Sequence, residues 1–330
     1  MQTTTEAPIR AQPLEPSQIK VAVTSKAFAK NANLVSYLAE KFPNYQLNFA
    51  TRKLTDAELV AFLQDSDAVI LALEQLNRTV LAQLPQLKVV AKFGVGLDNI
   101  DFAACAERQL PVLHCAGVNK MAVAELALCQ TLMLLRQVYQ TANLLAQGIW
   151  HKDGGVSLTG KTVGIVGFGH VGTAFASLLA PFGCRLLVCD ILDKTQACQQ
   201  FNATQVSLAQ LQREAQVISL HCPLTSDTAQ LVNAEFLAQM RSDAILINTA
   251  RGELVDLSAL EIALRAGQLA GAALDVYPQE PPTALGLLAM PNVVATPHIG
   301  GNSREATEAM GRAAIDLLWD FCRARSADEK

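Results

Sequence analysis

Three side chains in the C-terminal half of the chain have the chemistry of a proton-transfer site: Arg251 in NTARGELVD, Glu280 in DVYPQEPP and His298 in TPHIGG. An imidazole titrates near neutral pH, so it can take a proton from a hydroxyl or return one to it. A carboxylate beside the ring fixes its tautomer and favours the protonated form, and Glu280 could do this for His298. Arginine can hold a substrate carboxylate through two parallel hydrogen bonds, which a lysine's point charge does less well. Taken singly, each residue also has an ordinary explanation. A strand-end arginine is often a solvated or paired surface group, a glutamate before Pro-Pro is often a loop residue, and a loop histidine is often structural. The other histidines are weaker candidates: His114 and His221 fall in apolar strand patterns, His151 follows Trp150 in a linker, and His170 lies in a glycine loop. No cluster has metal-ligand spacing, so no metal is expected, and no G-x-S-x-G elbow is present.

The element that must position these residues is Lys161–Gly172, KTVGIVGFGHVG, which reads as strand, glycine turn and helix start. Gly167, Gly169 and Gly172 fall in the G-x-G-x-x-G spacing, with His170 and Val171 opening the helix. In such a turn the first glycine allows the bend, the second lets the main chain approach a pyrophosphate, and the third lets helix pack on strand. The phosphates then sit at the positive end of the helix. A second apolar strand, RLLVC, ends at Asp190, where a carboxylate can bind an adenosine ribose 2′-hydroxyl and repel a 2′-phosphate. Ile191, Leu192 and Asp193 follow without a base, so NAD is favoured over NADP. The later strands VISLHC, AILINTA, LAGAALDV and NVVATPH end near Cys222-Pro223, Thr249-Ala250-Arg251, Asp275 and His298. Strand C-termini of a doubly wound parallel sheet open on one crevice, so these residues should gather where the dinucleotide lies.

At 330 residues, two domains are expected. Hydrophobic residues make up 51% and the net charge is −4, which implies no basic face for nucleic acid or an anionic membrane. Eight scattered cysteines without C-x-x-C pairs read as reduced, buried residues of a cytoplasmic protein. Strand and helix patterns alternate from Ile19, with Thr55 as a helix cap, predicting a first parallel α/β unit. The expected organisation is a disordered extension at 1–18, a discontinuous substrate-binding domain at 19–118 plus 303–330, and an NAD-binding Rossmann domain at 119–302. One long helix is expected over 119–148. Its early part is apolar on nearly every face, which suggests burial between domains or in a homodimer contact. Glu125 is its odd residue, read as a buried salt-bridge partner or a cleft-facing group. Residues 303–330 read as an amphipathic helix folding back on the first domain.

In this order, the motifs GVGLDNID, GVNKMAVAEL, GKTVGIVGFGHVG, SLHCPLT, INTARGELVD, ALDVYPQEPP and TPHIGG resemble the D-isomer-specific 2-hydroxyacid dehydrogenases, over roughly Val21 to Trp319. The resemblance implies two doubly wound parallel-sheet domains, one flavodoxin-like and one Rossmann, and hydride transfer between NADH and a small 2-keto acid. It implies that Arg251, Glu280 and His298 form the catalytic set and that backbone at Val95-Gly96 holds the substrate carboxylate. It also places Asp275 near the nicotinamide amide and Gly300 in the cofactor site. Two departures stand out. His170 replaces a frequent Arg or Lys, and Leu73-Glu74-Gln75 stands where phosphoglycerate-type members carry arginine, although Lys120 or Arg78 could substitute. An NADH-sensing corepressor on the same fold is an alternative. So is a formate- or phosphite-type dehydrogenase, although formate-oxidising relatives carry Gln in place of Glu280.

Overall fold

The computed structural model describes residues 15–50, 52–283 and 285–327. Most of the expected N-terminal extension lies outside the described residues. At its end, Gln18 N donates to Glu15 O at 2.9 Å, so this part is a turn rather than disordered chain. The chain divides into two compact units, Met1–Asn119 with Arg304–Lys330, and Lys120–Ser303.

The first unit is built on five strands, β1 (Val21–Val23), β2 (Tyr45–Leu47), β3 (Ala68–Leu71), β4 (Val89–Lys92) and β5 (Val112–Leu113), all parallel in the order β2-β1-β3-β4-β5. This is the flavodoxin-like order. β1, β3 and β4 are buried along their whole length, as expected of strands covered on both faces. One covering layer is the helix Arg304–Ala327, whose Met310, Ala314, Ile315, Leu318 and Cys322 pack with Phe28, Leu34 and Phe42. The expected helix at 303–330 therefore returns to the first unit. Thr55 caps the helix Asp56–Leu63 in a capping box with Glu58. Arg52 and Thr55 hold the Glu58 carboxyl down at about 2.

The second unit carries seven parallel strands: β6 (Thr162–Val166), β7 (Arg185–Cys189), β8 (Ala203–Gln205), β9 (Val217–Leu220), β10 (Ile245–Asn248), β11 (Gly271–Leu274) and β12 (Val293–Ala295). Their order, β12-β11-β10-β9-β6-β7-β8, reverses direction at β6, between β9 and β7, which is the switch point of a Rossmann sheet.

The single helix expected over 119–148 is instead two, Lys120–Leu135 and Val138–Ala146, bent by 64°. The cause is local. The Leu135 carbonyl accepts from Val156 N at 2.8 Å, Arg136 Nε donates to Gly154 O at 2.9 Å, and Gln137 turns left-handed at φ 52. The returning segment thus takes the carbonyl that would have continued the helix. Glu125 is exposed, which removes the buried salt-bridge reading, and Gln130 and Thr131 are the buried polar residues of this helix. No single described helix is long and apolar enough to cross a membrane. The cysteines are less uniform than expected: Cys105, Cys198 and Cys322 are buried, and Cys129 is exposed.

Candidate active site in the second unit

Most candidates of the second unit lie at or just beyond the C-terminal end of a parallel strand. Gly167 follows β6, Asp190 follows β7, Cys222-Pro223 lie beyond β9, Thr249–Arg251 follow β10, Asp275 follows β11 and His298 lies past β12. The fingerprint divides its labour as the spacing predicts. A Cβ on Gly172 would lie 2.2 Å from the Gly167 carbonyl oxygen, and Gly167 itself has φ +90 and sits against Cys222 backbone. Gly169, in contrast, has nothing within 4 Å of a Cβ position. The helix His170–Leu179 begins with no side-chain cap, so its first N–H groups are available to a phosphate. Asp190 accepts from Phe168 N at 2.7 Å through one oxygen and from Leu192 N at 2.9 Å through the other. The carboxylate braces the glycine turn, and each oxygen keeps a lone pair for a ribose hydroxyl. These residues fit a bound NAD.

Glu280 and His298 are brought together across the loops that follow β11 and β12. His298 Nδ1 lies 3.0 Å from Glu280 Oε1 and 2.9 Å from Oε2, and Tyr277 N donates to Oε1 at 3.2 Å. With Nδ1 engaged, Nε2 is the nitrogen left for a reacting oxygen. His298 has φ 54, a left-handed backbone that costs an L-residue about 1–2 kcal/mol. Opposing this cost are the hydrogen bonds from the same loop to Asp275, each worth about 1 kcal/mol. Asp275 is 1% exposed and accepts from Thr296 Oγ1 at 2.6 Å, Ile299 N at 2.9 Å and Gly300 N at 2.8 Å. The Asp275 carboxylate, expected near the nicotinamide amide, is thus taken up largely by the His298 loop.

Arg251 leaves β10 through a turn shaped by the fully buried Asn248, which donates to Arg251 O at 2.8 Å and accepts from Ala250 N at 3.0 Å. The Arg251 guanidinium donates to Ala250 O at 2.6 Å. Sequence reasoning missed Asn248, Thr296 and Gln130 as supports. Asn248 alone had a visible signal, an Asx residue at a strand end. His221 is no rival to His298: its ring packs against Phe175 at 5.3 Å, and burial pushes its pKa down to about 3, leaving it neutral.

In the first unit, Val95 and Gly96 follow β4. The loop is held by the buried Lys92, which donates to Asn99 Oδ1 at 2.8 Å, and by Asn99, which donates to Glu74 O at 2.6 Å.

A glycine turn at the switch point of a parallel sheet, a carboxylate at the next strand end and a paired imidazole past the last strand define a dinucleotide-dependent oxidoreductase. Residues 128–300 match the model of the D-isomer specific 2-hydroxyacid dehydrogenase, NAD binding domain. The chain belongs to the D-isomer-specific 2-hydroxyacid dehydrogenase family. It is 34% identical to a glyoxylate reductase of Thermococcus litoralis over 87% of this chain and 89% of that protein. It is 33% identical to a hydroxypyruvate reductase of Thermotoga maritima over 83% of this chain and 90% of that one. Among solved structures, the TT0316 protein of Thermus thermophilus is 36% identical, with a TM-score of 0.82, covering 91% of this chain and 96% of that chain. The protein is an NAD-dependent enzyme interconverting 2-keto and 2-hydroxy acids.

Proposed function

We propose that the protein reduces a small, non-phosphorylated 2-keto acid to the D-2-hydroxy acid, with His298 as acid/base, Glu280 as its partner and Arg251 as the clamp on substrate. The observation that carries this reading is the Glu280–His298 contact at 2.9 Å, which orients Nε2 and offsets the charge of a protonated ring. Bound NADH supplies the hydride. The chain's own part is to bind and orient the keto acid and to move one proton. Arg251 draws electron density from the carbonyl and holds the carboxylate, and His298 Nε2 delivers its proton to the carbonyl oxygen as charge develops there. The proton lost from His298 is regained from solvent.

Two features favour a substrate without phosphate. Glu74, in the loop after β3, is an acid and is 3% exposed. Arg78, one possible substitute for a phosphate-binding arginine, is engaged by both oxygens of Glu107. The decisive experiment is NADH oxidation with a panel of glyoxylate, hydroxypyruvate, pyruvate, longer 2-keto acids and phosphohydroxypyruvate. The reading expects turnover of one of the first four with kcat/KM at least tenfold above the phosphorylated acid; no turnover of any, or preference for the phosphorylated one, overturns it.

Asp190→Ala is expected to lower NADH affinity about tenfold, since it removes both the proposed ribose contact and the brace on Phe168 N, and to narrow the NADH/NADPH preference. Fluorescence titration with both nucleotides checks this; an unchanged ratio argues against Asp190 as the ribose ligand. The apolar side chains Val138, Tyr139, Leu145, Ile149 and Trp150 are exposed along and just after the second helix of the 119–148 region. A second copy of the chain is their proposed cover, giving a homodimer. Sedimentation equilibrium at micromolar concentration should then give twice the 35.4 kDa chain mass, and a monomer would count against this contact.

A further inference from the structure

We propose that Gln130 and Thr296 are positioning residues for His298, acting through the buried Asp275; the inference rests on His298 being the acid/base. The helix Lys120–Leu135 is otherwise largely apolar where it is buried, yet it carries Gln130 at 1% exposure. Gln130 Nε2 donates to Thr296 Oγ1 at 3.1 Å, and Thr296 Oγ1 donates to Asp275 Oδ1 at 2.6 Å. The direction of this relay follows from the amide. Gln130 Nε2 can only donate, so a lone pair of Thr296 Oγ1 takes its proton and the Thr296 hydroxyl proton is left for Asp275. The Gln130 Oε1 atom has no hydrogen-bond partner and is buried, so the amide is not kept for its own satisfaction.

The same Asp275 oxygen that receives Thr296 also receives Ile299 N at 2.9 Å, and its second oxygen receives Gly300 N at 2.8 Å. His298 lies between these anchors, two residues after Thr296 and one before Ile299. A Cβ on Gly300 would come within 3.0 Å of Asp275 Oδ2, so the approach leaves no slack. The Thr296 carbonyl is fixed as well, by Tyr277 Oη at 3.0 Å and His298 N at 3.1 Å. Burial, with Asp275 and Glu280 nearby, pushes the Tyr277 phenol up to about 12, so it remains a donor. The strained left-handed His298 is therefore bracketed on both sides through one carboxylate. Gln130 and Thr296 set the rotation of that carboxylate from the helix side, which places the imidazole to about the tolerance proton transfer needs.

The test compares Thr296→Val, Thr296→Ser, Gln130→Leu, the Thr296→Val/Gln130→Leu double variant and His298→Asn in the full-length enzyme. Thr296→Val and Gln130→Leu should each lower kcat about tenfold, below the roughly 10²-fold that a 1 Å misplacement can cost. KM for the keto acid and the NADH dissociation constant should stay within about twofold. Thr296→Ser should restore kcat, and the double variant should be no worse than Thr296→Val, because both cut one relay. Wild-type kcat in both single variants overturns the inference, as does a loss of NADH affinity matching the loss of kcat, or a Thr296→Ser as impaired as the valine variant. Gln130→Leu removes an unsatisfied buried amide, so it provides a folded variant should Thr296→Val be unstable. An inactive His298→Asn beside wild-type relay variants sinks the inference alone, whereas an active His298→Asn sinks the underlying reading with it.

Discussion

Replacing His298 with asparagine should lower kcat for keto-acid reduction by about 10²–10⁴-fold while leaving NADH affinity within about twofold. The reason is connectivity. Nδ1 is committed to the two Glu280 oxygens at 2.9 and 3.0 Å, so Nε2 alone can serve the reacting oxygen. An asparagine amide can still reach toward Glu280 but carries no titratable proton. Asparagine also tolerates the left-handed backbone that His298 adopts at φ 54, so the loop and its hydrogen bonds to Asp275 should survive. Single-turnover kinetics with preformed enzyme–NADH complex measure the chemical step directly. A rate within tenfold of wild type would show that the proton reaches the substrate from elsewhere.

Arg251→Lys should cost about 10²-fold in kcat/KM, divided between a raised KM and a lowered kcat. Lysine keeps the positive charge, so the loss measures geometry: two parallel donors to a carboxylate are replaced by one, at about 1.5–3 kcal/mol per charged hydrogen bond. The backbone offers no relief. Asn248 fixes the turn from both sides of Arg251, and a Cβ on the next residue, Gly252, would lie 2.0 Å from the Tyr277 carbonyl carbon. The shorter reach of the new side chain therefore cannot be recovered by a shift of the strand end. Steady-state kinetics together with inhibition by a non-reducible carboxylate analogue separate the clamp from the chemistry. Unchanged KM and kcat would remove Arg251 from the substrate site.

The two departures from the family pattern bear on cofactor and substrate separately. His170 opens the helix after the glycine turn as an exposed residue, so the pyrophosphate contact proposed for this turn falls to the uncapped helix start and the open face of Gly169. In the first unit, Glu74 is a buried acid and Arg78 is engaged by Glu107, so on the proposed reading neither offers a free cation to a phosphorylated keto acid. The proposed substrate is accordingly a small acid recognised through its carboxylate and carbonyl alone.

Much of this was legible in the sequence because it is local or periodic. The β-branched runs, the three glycines and the acidic end of RLLVC define the nucleotide half from residues within one βαβ unit, where spacing alone fixes geometry. The rule that parallel strands end on one edge then gathers Arg251, Asp275 and His298 without any knowledge of packing. What the sequence left open depends on contacts between residues far apart in the chain. The break at Leu135 arises because Val156 N takes its carbonyl, and the exposure of Glu125 with the burial of Gln130 follows from which face of that helix meets the sheet. Its place at a strand end put Asp275 at the crevice edge, and the family resemblance placed it near the nicotinamide amide. Only the tertiary structure shows that it also accepts from Thr296, Ile299 and Gly300, since a buried carboxylate needs donors and these belong to the loop that carries His298.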